Sequence, residues 1–533
     1  MQQLSGMDAT FLYMESGTNF GHVCSLSVYA RPGDDPDFEP FEAFRSQLAS
    51  RLHLIEPFRR RLVQVPFGLN RPYWIEDPAF DLDFHVRNLA IPAPGNTHQL
   101  AEQVARIIGR PLDRSRPLWE VYVIEGLEDG DFAILTKIHH ATIDGASGVE
   151  LLTIMLDSEP HPSGADVVIP DASSHDKFPT QTEMFRIGLV TLVGDPLRMA
   201  RLGFRALGDL AEATRNANLA AVARSIARRI PRPRSDEQRD RPPLLPLKAA
   251  PRTPFNKTIT AHRRFAIRSV PLEDIKTIKN RLGVTVNDVV LAVCAGALRQ
   301  YLTGHEQLPD EPLVAMIPVS IRGDDEKDRW TNHVSGMLAN LPTNVDDPVE
   351  RVRAVHNTMV AAKRQFDMMP ADLIAEFTQF ATPALATRAI RLAAATRISD
   401  RLNPPINLII SNVPGPRQPL YMAGATMKHF YPVSTIVDGQ GLNITVQSYL
   451  DKLDFGLVAC RELVPDLWEL LDMCVDEIQI LLAACTPDNG AKPGKRSRQA
   501  PSRKSATPPA SVLKSRSGKA RAAGRSGATR MAP

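Results

Sequence analysis

The densest group of polar side chains in an apolar part of the sequence is the segment HHATIDG, residues 139–145. It follows residues 131–138, whose alternating apolar pattern predicts a β-strand. Neighbouring side chains on a strand point to opposite faces, so His139 and His140 must diverge. We assign His140 to a substrate cavity, because it shares its face with the apolar residues of the strand, and we expect His139 to face the other side.

An imidazole in apolar surroundings favours its neutral form and can accept a proton near pH 7. His140 is therefore a candidate general base, a role that typically contributes a factor of about 10²–10⁴ to the rate. Asp144 and Gly145 predict a tight turn in which the carboxylate holds nearby backbone or an arginine. Two alternatives are that the histidines only satisfy backbone carbonyls at a strand end, or that they bind a metal together with Asp144. The metal site is the weaker alternative, because adjacent histidines diverge and a third ligand at helical spacing is missing.

The sequence has no GxSxG motif, and none of its five cysteines lies near HHATIDG in the chain. We therefore predict no nucleophile elbow. We also expect neither a cofactor nor a metal. The cysteines are odd in number and form no CxxC pair, which disfavours a disulfide framework and favours a reducing compartment.

The elements that must position the motif are both strands and helices. Alternating residues predict strands at 22–29, 119–124, 313–319, 407–411, 443–449 and 453–459. Apolar residues at helical spacing predict a helix that starts near Phe41, one capped by Thr97, one over 271–282 that ends at Gly283, one capped by Thr285, and a last helix that closes the second globular region. Because the order lacks a regular βαβ alternation, it predicts an α+β fold.

The composition divides the chain into four parts: a globular region over 1–158, a helical and Pro/Arg-rich linker over 159–254, a second globular region over 255–485, and a basic tail over 486–533. From 487 to 533 there are 12 basic residues and one acid, a net charge of +11, which leaves −8 for the rest. The tail has too little apolar area to offset chain entropy, so we expect it to be disordered. Neither a secretory signal nor a membrane-spanning run is predicted.

The linker and the tail both allow contact with a lipid surface. An apolar stripe in the linker is flanked by arginines, which is typical either of a helix packed on its own protein or of one lying on a membrane; the stripe is Leu197, Ala200, Phe204 and Leu207. The tail has the charge to bind anionic headgroups or nucleic acid, or it is merely solvated. A nucleic-acid partner is not expected, because the body of the chain is net acidic.

Six segments in order resemble one family: LSGMDATFLYMES at 4–16, RPLWE at 116–120, HHATIDG, TVNDVVLAV at 285–293, IPVSIR at 317–322 and SNVPGP at 411–416. HHATIDG matches the HHxxxDG signature of the CoA-dependent acyltransferase superfamily. Together the segments resemble the bacterial wax ester synthase/acyl-CoA:diacylglycerol acyltransferase family, especially its actinobacterial triacylglycerol synthases. The resemblance runs from about residue 4 to residue 484.

The resemblance implies two chloramphenicol acetyltransferase-like domains that meet at a central tunnel. It implies transfer of a long-chain acyl group from acyl-CoA to diacylglycerol, with His140 as the base. The alternatives are a long-chain alcohol as acceptor, which gives a wax ester, or a non-catalytic lipid-binding protein; an intact His140 and Asp144 argue against the latter. The location implied is cytoplasmic, peripheral on the inner face of the plasma membrane or on lipid droplets.

The resemblance also assigns roles to residues. Asp144 is expected to pair with Arg322 and fix the loop, Gly145 to let substrate approach, and His139 to support rather than transfer a proton. Capping of a helix is a sufficient explanation of Asn287 and Asp288, to which the resemblance adds an indirect role in shaping the site. The turn-forming residues of SNVPGP are predicted to wall the substrate channel, namely Ser411, Asn412, Pro414 and Gly415.

Overall fold

Strands and helices are interleaved along the chain in the computed structural model, which describes residues 1–33, 35–143, 145–161, 179–194, 249–320, 334–367 and 396–485. These ranges contain fifteen β-strands and eleven α-helices, and the strands form two six-stranded sheets and one of three strands. The α+β prediction is confirmed. The interfacial helix predicted in the linker, the basic tail, Asp144 and Arg322 lie outside the described residues.

The first six-stranded sheet has the order β12-β13-β2-β7-β6-β5 and carries the HHATIDG segment at the end of β7. Its strands are β2 (His22–Ala30), β5 (Val86–Ala90), β6 (Trp119–Glu125), β7 (Phe132–His139), β12 (Tyr421–Met422) and β13 (Ala425–Val433). Only the β5–β6 pair is parallel. A three-stranded sheet of order β1-β4-β3 is formed by β1 (Gln2–Gln3), β3 (Arg60–Val63) and β4 (Tyr73–Glu76).

The second six-stranded sheet has the order β10-β9-β11-β14-β15-β8. Its strands are β8 (Arg263–Pro271), β9 (Leu313–Ser320), β10 (Val334–Leu341), β11 (Leu408–Val413), β14 (Leu442–Tyr449) and β15 (Lys452–Cys460). Strand β11 runs parallel to both β9 and β14, and the remaining pairs are antiparallel.

The helices cover the sheets and bury their apolar faces. They are α1 (Gly6–Tyr13), α2 (Pro40–Arg51), α3 (Glu56–Arg59), α4 (Leu82–His85), α5 (Thr97–Ile108), α6 (Gly145–Met155), α7 (Gln181–Gly194), α8 (Leu272–Leu282), α9 (Val286–Gly304), α10 (Pro348–Asp367) and α11 (Leu467–Cys485). Helices α8 to α11 pack with one face of the second sheet in a single apolar cluster. Helices α2 and α6 pack on one face of the first sheet, and α5 packs on the other.

The predicted helix ends are mostly found, with one correction. Gly283 ends α8 in the left-handed conformation, with φ 69°, and Thr285 caps α9 through the N–H of Asp288. The cap of α5 is Asn96 rather than Thr97, which is the first helical residue. Asn96 accepts the N–H of Gln99 while the Gln99 side chain accepts the N–H of Asn96, a reciprocal pair that Thr97 cannot make from one position later.

Strand β13 joins two parts of the chain that the composition separates. It belongs to the region predicted as 255–485, yet it pairs antiparallel with β2 over Thr426↔Ala30 to Val433↔Cys24 and so completes the first sheet. The apolar cluster around α5 includes side chains from both large sheets. The described residues up to 485 belong to one compact unit, and the predicted boundaries at 158 and 254 stay a prediction.

Within the described ranges, no single helix is long and apolar enough to cross a membrane. Helices α8 and α9 pass the criteria of length and composition only as a pair, and they meet at an angle of 102°.

Candidate active site

Strand β7 alternates as its sequence predicts. Phe132, Ile134 and Ile138 pack in the cluster that contains α2 and α6. Ala133 and Leu135 pack on the opposite face, in the cluster that contains α5. The two histidines at the end of the strand therefore have different surroundings, as expected because successive side chains of a strand point to opposite faces.

His140 lies just beyond β7 and is half-buried. Its backbone N–H donates to the carbonyl oxygen of Gly21 at 2.8 Å. Its ring is stacked on that of Phe11 in α1, with ring centroids 4.1 Å apart and planes 7° from parallel. The imidazole is thus held by an aromatic face on one side and by the backbone below, without being sealed from solvent.

His139 is the buried member of the pair, with 1% of its side chain exposed. The backbone N–H of Ala141 donates to its Nδ1 at 3.0 Å, so in the neutral ring the proton lies on Nε2. Nε2 lies 3.1 Å from Oε1 of Glu15. Nε2 makes no regular hydrogen bond, so its contact with Glu15 is mainly electrostatic.

Glu15 was not singled out from the sequence, and the structure places it directly beneath the motif. Oε1 accepts the N–H of Gly21 at 2.8 Å, and Oε2 accepts from Nε of Arg114 at 3.1 Å and from its terminal nitrogen at 2.5 Å. Burial opposes ionisation of this carboxyl, but His139, Arg114 and the Gly21 N–H outweigh it and lower the pKa of Glu15 to about 2. Glu15 is therefore a carboxylate throughout the neutral range.

Gly21 permits this arrangement because it has no side chain. A Cβ at position 21 would lie 2.6 Å from Nε2 of His139, 2.9 Å from its Cε1 and 3.1 Å from the carbonyl oxygen of Phe11. Gly21 thus touches both histidines, His139 by close approach and His140 through its carbonyl. No periodicity in the sequence marks this position.

Beneath His139, two further side chains satisfy the C-terminal carbonyls of α5. Nζ of Lys137 donates to the carbonyl oxygens of Ile107 and Arg110, and Nε2 of His22 donates to that of Ile108. A cation suits the negative end of a helix. Burial lowers the pKa of Lys137, and burial together with the Lys137 charge lowers the pKa of His22. These residues fix α5 against β2 and β7.

The remaining predicted residues of the motif fall partly outside the described ranges. Gly145 is the first residue of α6, whereas the predicted pair of Asp144 and Arg322 is not described. Trp119, from RPLWE, is completely buried. Its indole N–H donates to the carbonyl oxygen of Phe58 at 2.8 Å, and its ring stacks on that of Phe58. RPLWE is therefore core structure beside the motif.

Asp288 serves two structural purposes in α9. Its Oδ2 accepts the N–H of Thr285 at 2.9 Å, in a reciprocal cap, and lies 2.9 Å from Nδ1 of His356 in α10. Its side chain is 3% exposed. Asn287 precedes it in the first turn and is partly exposed. The capping explanation is confirmed for Asp288, and the contact with α10 was not predicted.

The SNVPGP segment begins in β11, with Ser411 and Asn412 beside β14, and leaves the sheet at Pro414. The N–H of Gly415 donates to Oγ of Ser448, and a Cβ at position 415 would lie 1.9 Å from the Ser448 carbonyl oxygen. The glycine is therefore required by close packing on β14. A wall of the substrate channel stays a prediction for this segment.

A small cleft lies between the two sheets, and its lining includes Phe20, His22, Arg263 and Thr435. His140 is not part of its lining, so the predicted central tunnel stays a prediction. Among the described residues, no group of three or more His, Cys, Asp or Glu side chains is arranged to hold a metal ion.

Comparisons with known proteins agree with the resemblance. The model of the wax ester synthase/diacylglycerol acyltransferase catalytic domain matches residues 4–290, and that of the WS/DGAT C-terminal domain matches residues 330–482. The chain is 37% identical over 467 residues to a Mycobacterium tuberculosis protein named probable diacylglycerol O-acyltransferase tgs2, and the match covers 87% of this chain and 95% of the relative. It is 34% identical over 481 residues to the O-acyltransferase WSD of Acinetobacter baylyi, covering 90% and 97%.

The solved structure of a wax ester synthase/diacylglycerol acyltransferase from Marinobacter aquaeolei is similar over 91% of this chain and all of that one. The TM-score is 0.62 and the sequence identity 31%. The matches therefore extend across both large sheets and include the HHATIDG segment. The chain belongs to the wax ester synthase/diacylglycerol acyltransferase family, and it is an O-acyltransferase.

Proposed function

We propose that this enzyme transfers a long-chain acyl group from acyl-CoA to diacylglycerol, with His140 as the general base. The observation that carries the proposal is the difference between the two histidines. His139 is buried, with Nδ1 bonded to the backbone and Nε2 beside Glu15. His140 is half-buried, stacked on Phe11 and anchored through its backbone, which supports assigning the base to its ring rather than to that of His139.

In the proposed step, His140 takes the proton of the acceptor hydroxyl while the oxygen attacks the thioester carbonyl. Attack forms the new C–O bond and a tetrahedral oxyanion, which collapses by re-forming the C=O bond as the C–S bond breaks. His140 then returns the proton to the leaving CoA thiolate. Acyl-CoA is a substrate here, and the step requires neither a cofactor nor an acyl-enzyme.

Diacylglycerol is our first choice of acceptor because several relatives carry the name diacylglycerol O-acyltransferase, including the one in M. tuberculosis. A long-chain alcohol is the second candidate, because the similar solved structure is that of a protein named for both activities. Activation of the hydroxyl by His140 is the same for both acceptors.

Asp144 and Arg322 are proposed to form a bidentate pair that fixes the loop after His140. A charge-assisted pair of this kind depends on both partners, so exchanging them tests it. Asp144→Arg and Arg322→Asp should each abolish acyl transfer, and the double exchange should restore part of it. If the double exchange is no better than either single change, the pairing is wrong.

The enzyme is further proposed to act from the cytoplasmic side, at the inner face of the plasma membrane or at lipid droplets. Diacylglycerol is insoluble in water, and the 12 basic residues after 486 suit an anionic lipid surface. Deletion of 487–533 should weaken sedimentation with anionic liposomes. Unchanged sedimentation removes the tail from this proposal.

The central experiment measures release of CoA thiol from palmitoyl-CoA by the purified full chain, with diacylglycerol or hexadecanol offered separately. His140→Ala should lower kcat by about 10²–10⁴-fold. His262→Ala is the matched control, because its side chain is 58% exposed on the surface. Equal activity of His140→Ala and His262→Ala eliminates the proposed base, and release with hexadecanol alone reverses the choice of acceptor.

A further inference from the structure

The turn that carries His140 is tied to the N-terminal segment at several points. The N–H of His140 is bonded to Gly21, and the N–H of the following residue, Ala141, is bonded to Nδ1 of His139. The N–H of Thr142 is bonded to the His139 carbonyl. The backbone on both sides of the His140 Cα therefore depends on where Gly21 and the His139 ring lie.

The His139 ring contacts both that turn and Glu15. One ring nitrogen accepts from Ala141, and the other lies 3.1 Å from Glu15 Oε1. The negative charge of Glu15 attracts a protonated Nε2, which is the tautomer that leaves Nδ1 free to accept the Ala141 N–H. Removing the charge weakens the preference for that tautomer, which the Ala141 N–H then favours alone.

The contacts of Glu15 fix its carboxylate, so that it can fix the position of the His139 ring. Its carboxylate is 11% exposed and makes contacts from three directions, to the Gly21 N–H, to the Arg114 guanidinium and to His139. Gly21 thus links both ends of the arrangement, since its N–H binds Glu15 while its carbonyl binds the His140 N–H. The same carboxylate therefore acts on the turn by two routes.

We propose that Glu15 is a positioning residue for acyl transfer, which sets the tautomer of His139 and, through Ala141 and Gly21, the position of His140. This inference rests on the proposed role of His140. Glu15 touches neither substrate in this account; it acts through the two side chains and the backbone between them. A shift of the reacting group by about 1 Å is enough to cost about 10²-fold in rate.

The test is Glu15→Gln in the full-length enzyme, which keeps the shape of the side chain and removes its charge. The amide must place its NH₂ against either Arg114 or the Gly21 and His139 donors, so one donor faces another. We expect kcat to fall about 10- to 100-fold and KM for palmitoyl-CoA to change less than twofold. In ¹⁵N spectra of histidine-labelled enzyme, the His139 tautomer with unprotonated Nδ1 should be lost or mixed.

A double variant separates positioning from general destabilisation. Because Glu15 acts partly through His139 and partly through Gly21, Glu15→Gln should lower kcat less in a His139→Ala background than in the wild type. Glu477→Gln is the matched control, because Glu477 is also a buried carboxylate paired with an arginine, Arg351, in the second sheet's helices. It should lower the melting temperature and leave kcat of the folded enzyme unchanged.

Each result supports or overturns the inference. A kcat of Glu15→Gln within twofold of the wild type overturns it, as does full multiplication of the two effects in the double variant. If Glu15→Gln does not fold, Glu15→Asp keeps the charge on a shorter side chain, and a wild-type kcat there overturns the inference as well. Loss of activity in His140→Ala with wild-type activity in Glu15→Gln refutes the positioning role alone, whereas an active His140→Ala refutes the proposed base.

Discussion

Replacement of Gly21 by alanine is the sharpest test of how the two histidines are held. The new Cβ would lie 2.6 Å from Nε2 of His139, whereas ordinary contact begins at 3.4 Å. Either the ring or the backbone of Gly21 must then move by about 0.8 Å. The ring cannot move freely, because it is bonded to the Ala141 N–H on its far side and faces Glu15 on the near side.

Two measurable losses follow from that shift. Overpacking of this kind costs typically about 1–3 kcal/mol of unfolding free energy. A displacement approaching 1 Å in the turn that carries His140 should also lower kcat by about 10- to 100-fold, with KM for palmitoyl-CoA little changed. The measurements are urea unfolding and thiol release from palmitoyl-CoA, both on the purified full chain.

Gly17 provides the matched control in the same loop. A Cβ there meets nothing within 4 Å, so Gly17→Ala should keep both stability and kcat. If Gly21→Ala behaves like Gly17→Ala in both assays, the close packing of His139 is refuted. If Gly21→Ala loses stability but keeps kcat, the position of His139 does not matter to the reaction, and the link between the two histidines fails.

Three further predictions concern stability. Because the pKa of Glu15 is lowered to about 2, the Glu15 carboxylate should contribute fully to the unfolding free energy above pH 4.5, and this contribution should disappear as the pH falls towards 2. The difference in melting temperature between wild type and Glu15→Gln should therefore shrink between pH 4.5 and pH 2. A difference that stays constant contradicts the prediction. Gly415→Ala places a Cβ 1.9 Å from a backbone carbonyl oxygen and should lower the unfolding free energy by about 1–3 kcal/mol in urea titrations. An unchanged urea midpoint would mean that the SNVPGP segment is not packed on β14 as described. Asp288→Ala should lower the unfolding free energy by about 1 kcal/mol, because it removes part of the cap of α9. His356→Ala should lower it by less than about 1 kcal/mol, because the His356 side chain is 38% exposed. The reverse order in chemical denaturation would mean that the contact with α10 matters more than the cap.

The sequence predicts those structural features that depend on residues close together in the chain. The alternation along β7 places His139 and His140 on different faces, and the structure agrees because a strand has a period of two whatever its partners are. The caps at Gly283 and Thr285 are local as well. The helix at 97–108 is found, but its cap was misplaced by one residue, since Asn96 and Gln99 bond to each other in a way that propensity alone does not rank.

Contacts between distant residues escaped prediction. Glu15 stands in the N-terminal segment that resembles the family, yet a single acid with no periodic partner carries no signal that it lies 3.1 Å from His139. Phe11, Gly21 and Arg114 were missed for the same reason. The partnership of Asp288 and His356 joins residues 68 positions apart, and β13 with β2 joins positions about 400 apart. Such pairings are set by the fold, and local pattern does not encode them.

The place of β13 has a consequence for how the polypeptide is made. Until residue 433 has left the ribosome, β2 has an open side, with unpaired amide and carbonyl groups along Cys24 to Ala30. An unprotected strand margin is a template for association with other chains. Strand β2 therefore stays unpaired on this side while some 400 further residues are synthesised. A fragment that ends near residue 158 is expected to aggregate when expressed by itself.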